Sequence, residues 1–181
     1  IGDYKQALAL FQAAGDEGGE MQTCDLLGTA ERDRSQLDAA EAWYTRAREL
    51  ALKLKDRRQL AATSQNLGIL HQKRAEEAAE PQRSGLLRRA VELVGEALTL
   101  FKELQDPVYQ AASHSQLGIL YRLLGELDPA EANARQALQI RAMLSLPEIH
   151  KDYASLAEIA RARGDEAGAA TWQAKADAKE A

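Results

Sequence analysis

Gln65-Asn66-Leu67-Gly68-Ile69-Leu70-His71 returns as Ser115-Gln116-Leu117-Gly118-Ile119-Leu120-Tyr121, with fainter copies at Leu27-Gly28 and Leu156-Ala157. Self-similarity of this kind means that each unit is a supersecondary element that cannot bury its apolar face alone and must stack on its neighbours. The composition agrees. Of 181 residues 45% are hydrophobic but only 5% aromatic, so the apolar content is mostly Ala and Leu, strong helix formers that allow close helix approach. An all-α chain follows, large enough for a real core.

The clearest unit runs from Ala111 to Ile140: an apolar-periodic helix through Leu117, Leu120 and Tyr121, a break at Gly125, then a second helix through Ala130, Ala134, Ala137 and Leu138. Asp128 reads as its N-cap, Pro129 as its first residue and Glu131 as the partner in a capping box. Gly125 reads as a C-terminal stop. The spacing predicts helices over 3–14, 20–32, 36–54, 57–79, 85–104, 107–124, 129–144, 148–163 and 166–179. Hairpins then occupy 20–54, 57–104, 107–144 and 148–179, within one domain over 1–181. Residues 1–14 read as an orphan second helix whose first half is expected to precede Ile1, in a longer protein.

The helical hairpin resembles the tetratricopeptide repeat, which has Leu-Gly in the first helix, an aromatic three residues after that Gly, and small residues in the second helix. Leu117, Gly118, Tyr121, Gly125, Ala130, Ala134 and Ala137 fit in one copy. Leu67, Gly68, His71, Ala90 and Ala97 fit in another, with Val94 departing from it. Leu27, Gly28, Ala40, Tyr44 and Ala47 mark an earlier copy, and Leu156, Gly164, Ala169 and Ala176 the last, where Ala157 replaces the Gly. The Leu positions are 40, 50 and 39 residues apart, longer than the common unit of about 34. Long units of this type look like those of kinesin light chain, the Pins-type spindle adaptors and bacterial signalling regulators. The ten extra residues of the middle copy lie around Glu76 to Leu86, where Pro81, Ser84 and Gly85 interrupt the pattern, and are expected to protrude as a lengthened hairpin tip. The resemblance implies a right-handed superhelical solenoid of nine helices; a closed bundle is the alternative.

The resemblance also nominates a binding surface, the concave groove lined by the first helix of each hairpin. It assigns Asp25, Thr29 and Arg32 to that groove from the first full repeat, and Gln65, Asn66, Ile69, Gln72 and Lys73 from the second. Ser115, Gln116, Ile119 and Arg122 follow from the third, and Lys151, Ser155, Glu158 and Arg161 from the last. Asn66, directly before Leu-Gly, offers an acceptor and two donors to the backbone of an extended peptide, the use that long-repeat relatives make of it. The Lys and Asn pattern that clamps a C-terminal carboxylate is missing, and the mixed charge points to a mixed-charge peptide.

Other chemistry is sparse. With 28 acidic against 23 basic residues, formal charge −5, and basic doublets such as Arg57-Arg58 and Arg88-Arg89 set among carboxylates, the chain lacks the footprint of a nucleic-acid binder. No apolar run spans a bilayer. Cys24 alone forms no intrachain disulfide, and its place on an apolar face reads as a buried small hydrophobe. His71, His114 and His150 sit in no metal-ligand spacing, and no phosphate cradle, nucleophile elbow or triad spacing is present. The expectation is a non-enzymatic, cofactor-free, cytoplasmic scaffold for a protein or peptide ligand, with self-association through terminal repeats as a further possibility. The alternative is a sensor module of a larger bacterial signalling or transcription-regulating protein.

Overall fold

A computed structural model describes residues 1–180. Among them are nine α-helices and no strand: α1 Gly2–Ala14, α2 Glu17–Asp33, α3 Leu37–Leu54, α4 Arg57–Glu77, α5 Gln82–Glu103, α6 Pro107–Leu123, α7 Leu127–Met143, α8 Ile149–Ala162 and α9 Glu166–Glu180. The chain forms two compact units, Ile1–Leu100 and Phe101 onward, with α5 belonging to the first as far as Leu100.

In each unit successive helices pair, and the first helices of successive hairpins also touch, α2 with α4 and α6 with α8. The interior is accordingly a series of small clusters. Leu8, Cys24, Leu27 and Ala47 join α1, α2 and α3, Ala40, Tyr44, Leu67, Leu70 and Leu93 join α3, α4 and α5, and Ala130, Ala134, Leu156 and Ile159 join α7 to α8. This layering is what repeats of short sequence separation produce, each burying its apolar stripe on the next.

Aspartates set the starts of three first helices. Asp16, Asp56 and Asp106 accept hydrogen bonds from the amides of Gly19, Gln59 and Tyr109 at 2.9, 2.9 and 3.3 Å, satisfying donors that the first turn leaves open. Asp16 thereby starts α2 at Glu17, three residues before the expected 20. Asp128 is not the N-cap of α7. The helix begins at Leu127 after Glu126, which makes no side-chain cap bond, and Asp128 and Glu131 instead hold Arg163, Asp128 at 2.5 Å. Pro129 still lies in the first turn, where its missing N–H costs nothing.

The insertion lengthens both helices of its hairpin. α4 and α5 have 21 and 22 residues against 17 each in α6 and α7. The break lies at residues 78–81 where 80–84 is expected, and Ser84 and Gly85, expected to interrupt the pattern, fall in the first turn of α5. The Glu80 carboxylate accepts from both the amide and the hydroxyl of Ser84, at 3.2 and 2.6 Å, and starts the helix there. At about 1.5 Å per residue, this hairpin is about 6 Å longer than one of 17-residue helices.

The glycine of the repeat permits close helix approach. A Cβ on Gly118 would lie 3.3 Å from the carbonyl oxygen of Ala130 and 3.4 Å from the amide nitrogen of Ala134, both backbone atoms of α7. Gly118→Leu is expected to force α6 and α7 apart and cost about 1–3 kcal/mol, read as a lower urea midpoint; an unchanged midpoint would contradict this packing.

Candidate functional site

The nominated residues come together as two sets, one per unit. Asp25, Arg32, Gln65, Asn66, Gln72 and Lys73 lie on α2 and α4, and Ser115, Gln116, Arg122, Ser155, Glu158 and Arg161 lie on α6 and α8. Most are engaged within the protein. The Asn66 side chain, expected as a free clamp, directs Nδ2 at both carboxylate oxygens of Asp25, 3.2 Å from each. Thr63 donates to Asp25 Oδ1 at 3.0 Å, and Gln59 donates to Thr63 at 3.2 Å. Burial raises the Asp25 carboxyl above its ordinary value, opposed by the bonds from Thr63 and Asn66 and by the charge of Arg32.

Lys73 Nζ reaches the carbonyl of Arg32 at 3.0 Å and the hydroxyl of Ser35 at 3.2 Å, while the Arg32 guanidinium binds Asp33. Gln65, Gln72 and Gln116 are half-buried on their helices. Arg122 pairs with Glu158 at 2.8 Å, and Arg161 donates to Gln173 at 3.1 Å. The cations and anions of this face largely neutralise one another. Leu26, the chain neighbour of Asp25 and 47% exposed, occupies on α2 the place that Asn66 holds on α4, two residues before the helix-packing glycine.

Ser115 is drawn inward. It donates to Asp152 Oδ1 at 2.6 Å and accepts from Arg141 Nη1 at 2.6 Å, and Arg141 reaches the same carboxylate oxygen at 2.5 Å. Ser155 Oγ and Asp152 Oδ2 are buried with no protein partner. Sequence reasoning missed Thr63, Arg141 and Asp152. Thr63 and Asp152 each stand five residues before the helix-packing position, at Gly68 and Ala157, so Asp25–Thr63 and Ser115–Asp152 are the same inter-hairpin contact with carboxylate and hydroxyl exchanged. A polar residue recurring on an otherwise apolar face was the signal for it.

Clefts of about 460 and 400 Å³ open elsewhere in the first unit, the former beside Ser35, Gln36 and Arg74, the latter beside His71, Arg48 and Glu49. Their charged walls are mostly paired. Arg74 holds Asp38 and Glu41, and Arg48 holds Glu96. Cys24 is fully buried, and burial pushes its thiol up to about 11, which makes it an unreactive core residue.

His71 packs beside Glu41, and His114 is buried with Nδ1 2.8 Å from Asn133 Oδ1. Asn133 Nδ2 donates to the Pro129 carbonyl, so its oxygen faces the ring and His114 carries its proton on Nδ1. Burial holds the imidazole below its ordinary value of 6.5, with Lys102 adding to the effect and Asn133 opposing it. A depressed folded-state value means that the unfolded chain binds the proton first as pH falls. The second unit should therefore keep its stability above about pH 6.5 and lose part of it as pH falls from there through the lower folded value. Urea midpoints read by Trp172 fluorescence at pH 7.5 and 5.5 test this; His114→Gln should shrink the difference, and an unchanged difference would refute the assignment.

These features define an all-α protein of stacked helical hairpins, solenoid-like in its packing. The crystal structure of BtubC (BKLC) from P. vanneervenii is similar to it with a TM-score of 0.80 at 20% identity, over 99% of this chain and 74% of that one, a likeness of fold. No family model matches the chain, and no curated protein matches it. Among the described residues no helix is long and apolar enough to cross a membrane.

Proposed function

We propose that this chain is a non-catalytic interaction scaffold of the long-repeat tetratricopeptide type, which holds an extended peptide or protein segment in a groove on the face shared by α2 and α4 and on its counterpart on α6 and α8. The observation that carries this reading is a half-buried amide, Asn66, held by Asp25, whose chain neighbour Leu26 is exposed: one group for a main chain, one for a side chain. The neutralised charges around them leave hydrogen bonding and apolar contact as the means of recognition, which suits a mixed-charge segment better than an acidic tail. With more acidic than basic residues, the scaffold takes protein rather than nucleic acid or membrane as its partner. A cytosolic setting fits its single, free, buried thiol.

Selection of random dodecapeptides on the immobilised chain, followed by fluorescence anisotropy of the synthetic winners, tests the reading. Affinity near micromolar is expected, about −8 kcal/mol. Asn66→Ala/Gln116→Ala should weaken binding several-fold, at about 1 kcal/mol per lost contact. Winners that bind the double variant as tightly as the native chain would move recognition off this face.

A further inference from the structure

We propose that Asp25 is a positioning residue: it fixes the orientation of the Asn66 amide, so that Asn66 Oδ1 faces the groove and selects a ligand segment that presents a main-chain N–H at that place. The inference rests on the groove reading above and adds to it a residue and a chemical requirement.

The orientation follows from hydrogen-bond roles. An ionised carboxylate only accepts, and an amide donates only through nitrogen, so the contacts at 3.2 Å to both oxygens of Asp25 must come from Asn66 Nδ2. Asp25 Oδ1 is itself held by Thr63, which Gln59 holds in turn. The two oxygens lie close together as seen from Nδ2, so one N–H serves both. Asn66 keeps its Oδ1 and its second N–H for the groove. With the amide plane fixed before binding, the acceptor does not have to be oriented at the moment of contact, and loss of freedom on binding is correspondingly smaller. A proline or an N-methylated residue at that place has no N–H to give and leaves Oδ1 without a partner. A carboxylate or phosphate of the ligand there would face two acceptors, Asn66 Oδ1 and Asp25.

The test uses the winning dodecapeptide from the selection and a set in which each backbone nitrogen is methylated in turn, measured by anisotropy on the full chain. One methylated position should bind the native chain about fivefold more weakly, and that loss should vanish on Asn66→Ala and on Asp25→Leu. For the unmodified peptide, Asp25→Leu should weaken binding as much as Asn66→Ala does, about fivefold, and the double variant no further. Asp25→Asn, whose side-chain oxygen still accepts from Asn66, should stay within about twofold of native affinity. Thr63→Val, which removes a support of Asp25 but not its contact with Asn66, should lower the urea midpoint without changing affinity. If Asp25→Leu does not fold, Asp25→Ser, too short to reach Asn66, replaces it. Native affinity in Asp25→Leu or Asp25→Ser alongside weakened Asn66→Ala overturns the positioning role and leaves the groove intact. Native affinity in Asn66→Ala removes this part of the groove reading, and the role of Asp25 with it.

Discussion

Asp152→Ala is expected to lower the stability of the second unit by about 3–5 kcal/mol, the usual cost of removing one partner from a buried ion pair. Asp152 and Arg141 are 1% and 5% exposed, and the pair joins α7 to α8 while Ser115 adds α6. Truncation leaves a guanidinium with little solvent access and only Ser115 and the more distant Glu148, at 3.7 Å, for compensation. The ion pair is not itself a large source of stability, because desolvation of two charges offsets most of their attraction. Asp152→Leu/Arg141→Met should accordingly recover most of the loss, a non-additivity expected of contacting residues. The sequence supplies a local probe: the two tryptophans, Trp43 and Trp172, fall one in each unit. In a Trp43→Phe background, urea unfolding followed through Trp172 should show a large fall in midpoint for Asp152→Ala and partial recovery in the double variant. A loss below about 1 kcal/mol would match an exposed salt bridge and contradict the burial.

Tyr44→Ala is the counterpart in the first unit, with an expected cost of about 3–5 kcal/mol for deleting a large buried aromatic. Tyr44 is fully buried, and its ring lies over Gly28, where a Cβ would come 2.6 Å from the ring carbons. Its hydroxyl is 3.0 Å from Thr29 Oγ1, so Tyr44→Phe should cost only about 1 kcal/mol. The partner of each packing glycine sets how much room remains: Tyr44 faces Gly28, Val94 faces Gly68 and Ala134 faces Gly118. Gly28→Ala alone should destabilise by overpacking against the ring. In Tyr44→Ala it should instead fill part of the cavity and gain helix propensity worth about 1 kcal/mol. Trp43 fluorescence in a Trp172→Phe background reads both. Additive losses in the double variant would mean that the ring does not rest on Gly28.

Several features of the fold are readable in single residues. Leu-Gly at Leu27, Leu67 and Leu117, the small residues Ala40, Ala90 and Ala130, and the left-handed glycine at Gly125, with φ of 77°, each state a local requirement that the residue type reveals. Asp16, Asp56 and Asp106 recur at the same spacing as Leu-Gly and were equally legible as caps, whereas Asp128 looked like one and is claimed by Arg163 instead. The left-handed position returns every twentieth residue at Gly15, Ser35 and Lys55, and again at Gln105, Gly125 and Ser145. At Ser35, Lys55, Gln105 and Ser145 the residue type does not announce it, because the helix-end hydrogen bonds and the packing of the hairpin impose the conformation against the side chain's preference.

The candidate site divides the same way. Position in the repeat was enough to place Asn66, Lys73, Gln116 and Arg122 on first helices, because the helical period fixes which residues share a face. It could not say what each side chain does there, since Asn66 to Asp25 spans 41 residues and Ser115 to Asp152 spans 37. The sequence by itself determined the all-α class, the hairpin unit, its 40-residue length and the residues that let helices approach, all set by interactions within about one turn or one hairpin. Only the tertiary structure decided where the break in the insertion falls, that Arg141 and Asp152 are buried together, and that Asn66 is held by Asp25. These depend on which polar groups lose their water when hairpins stack, and a buried polar group takes whichever partner the neighbouring hairpin brings within reach.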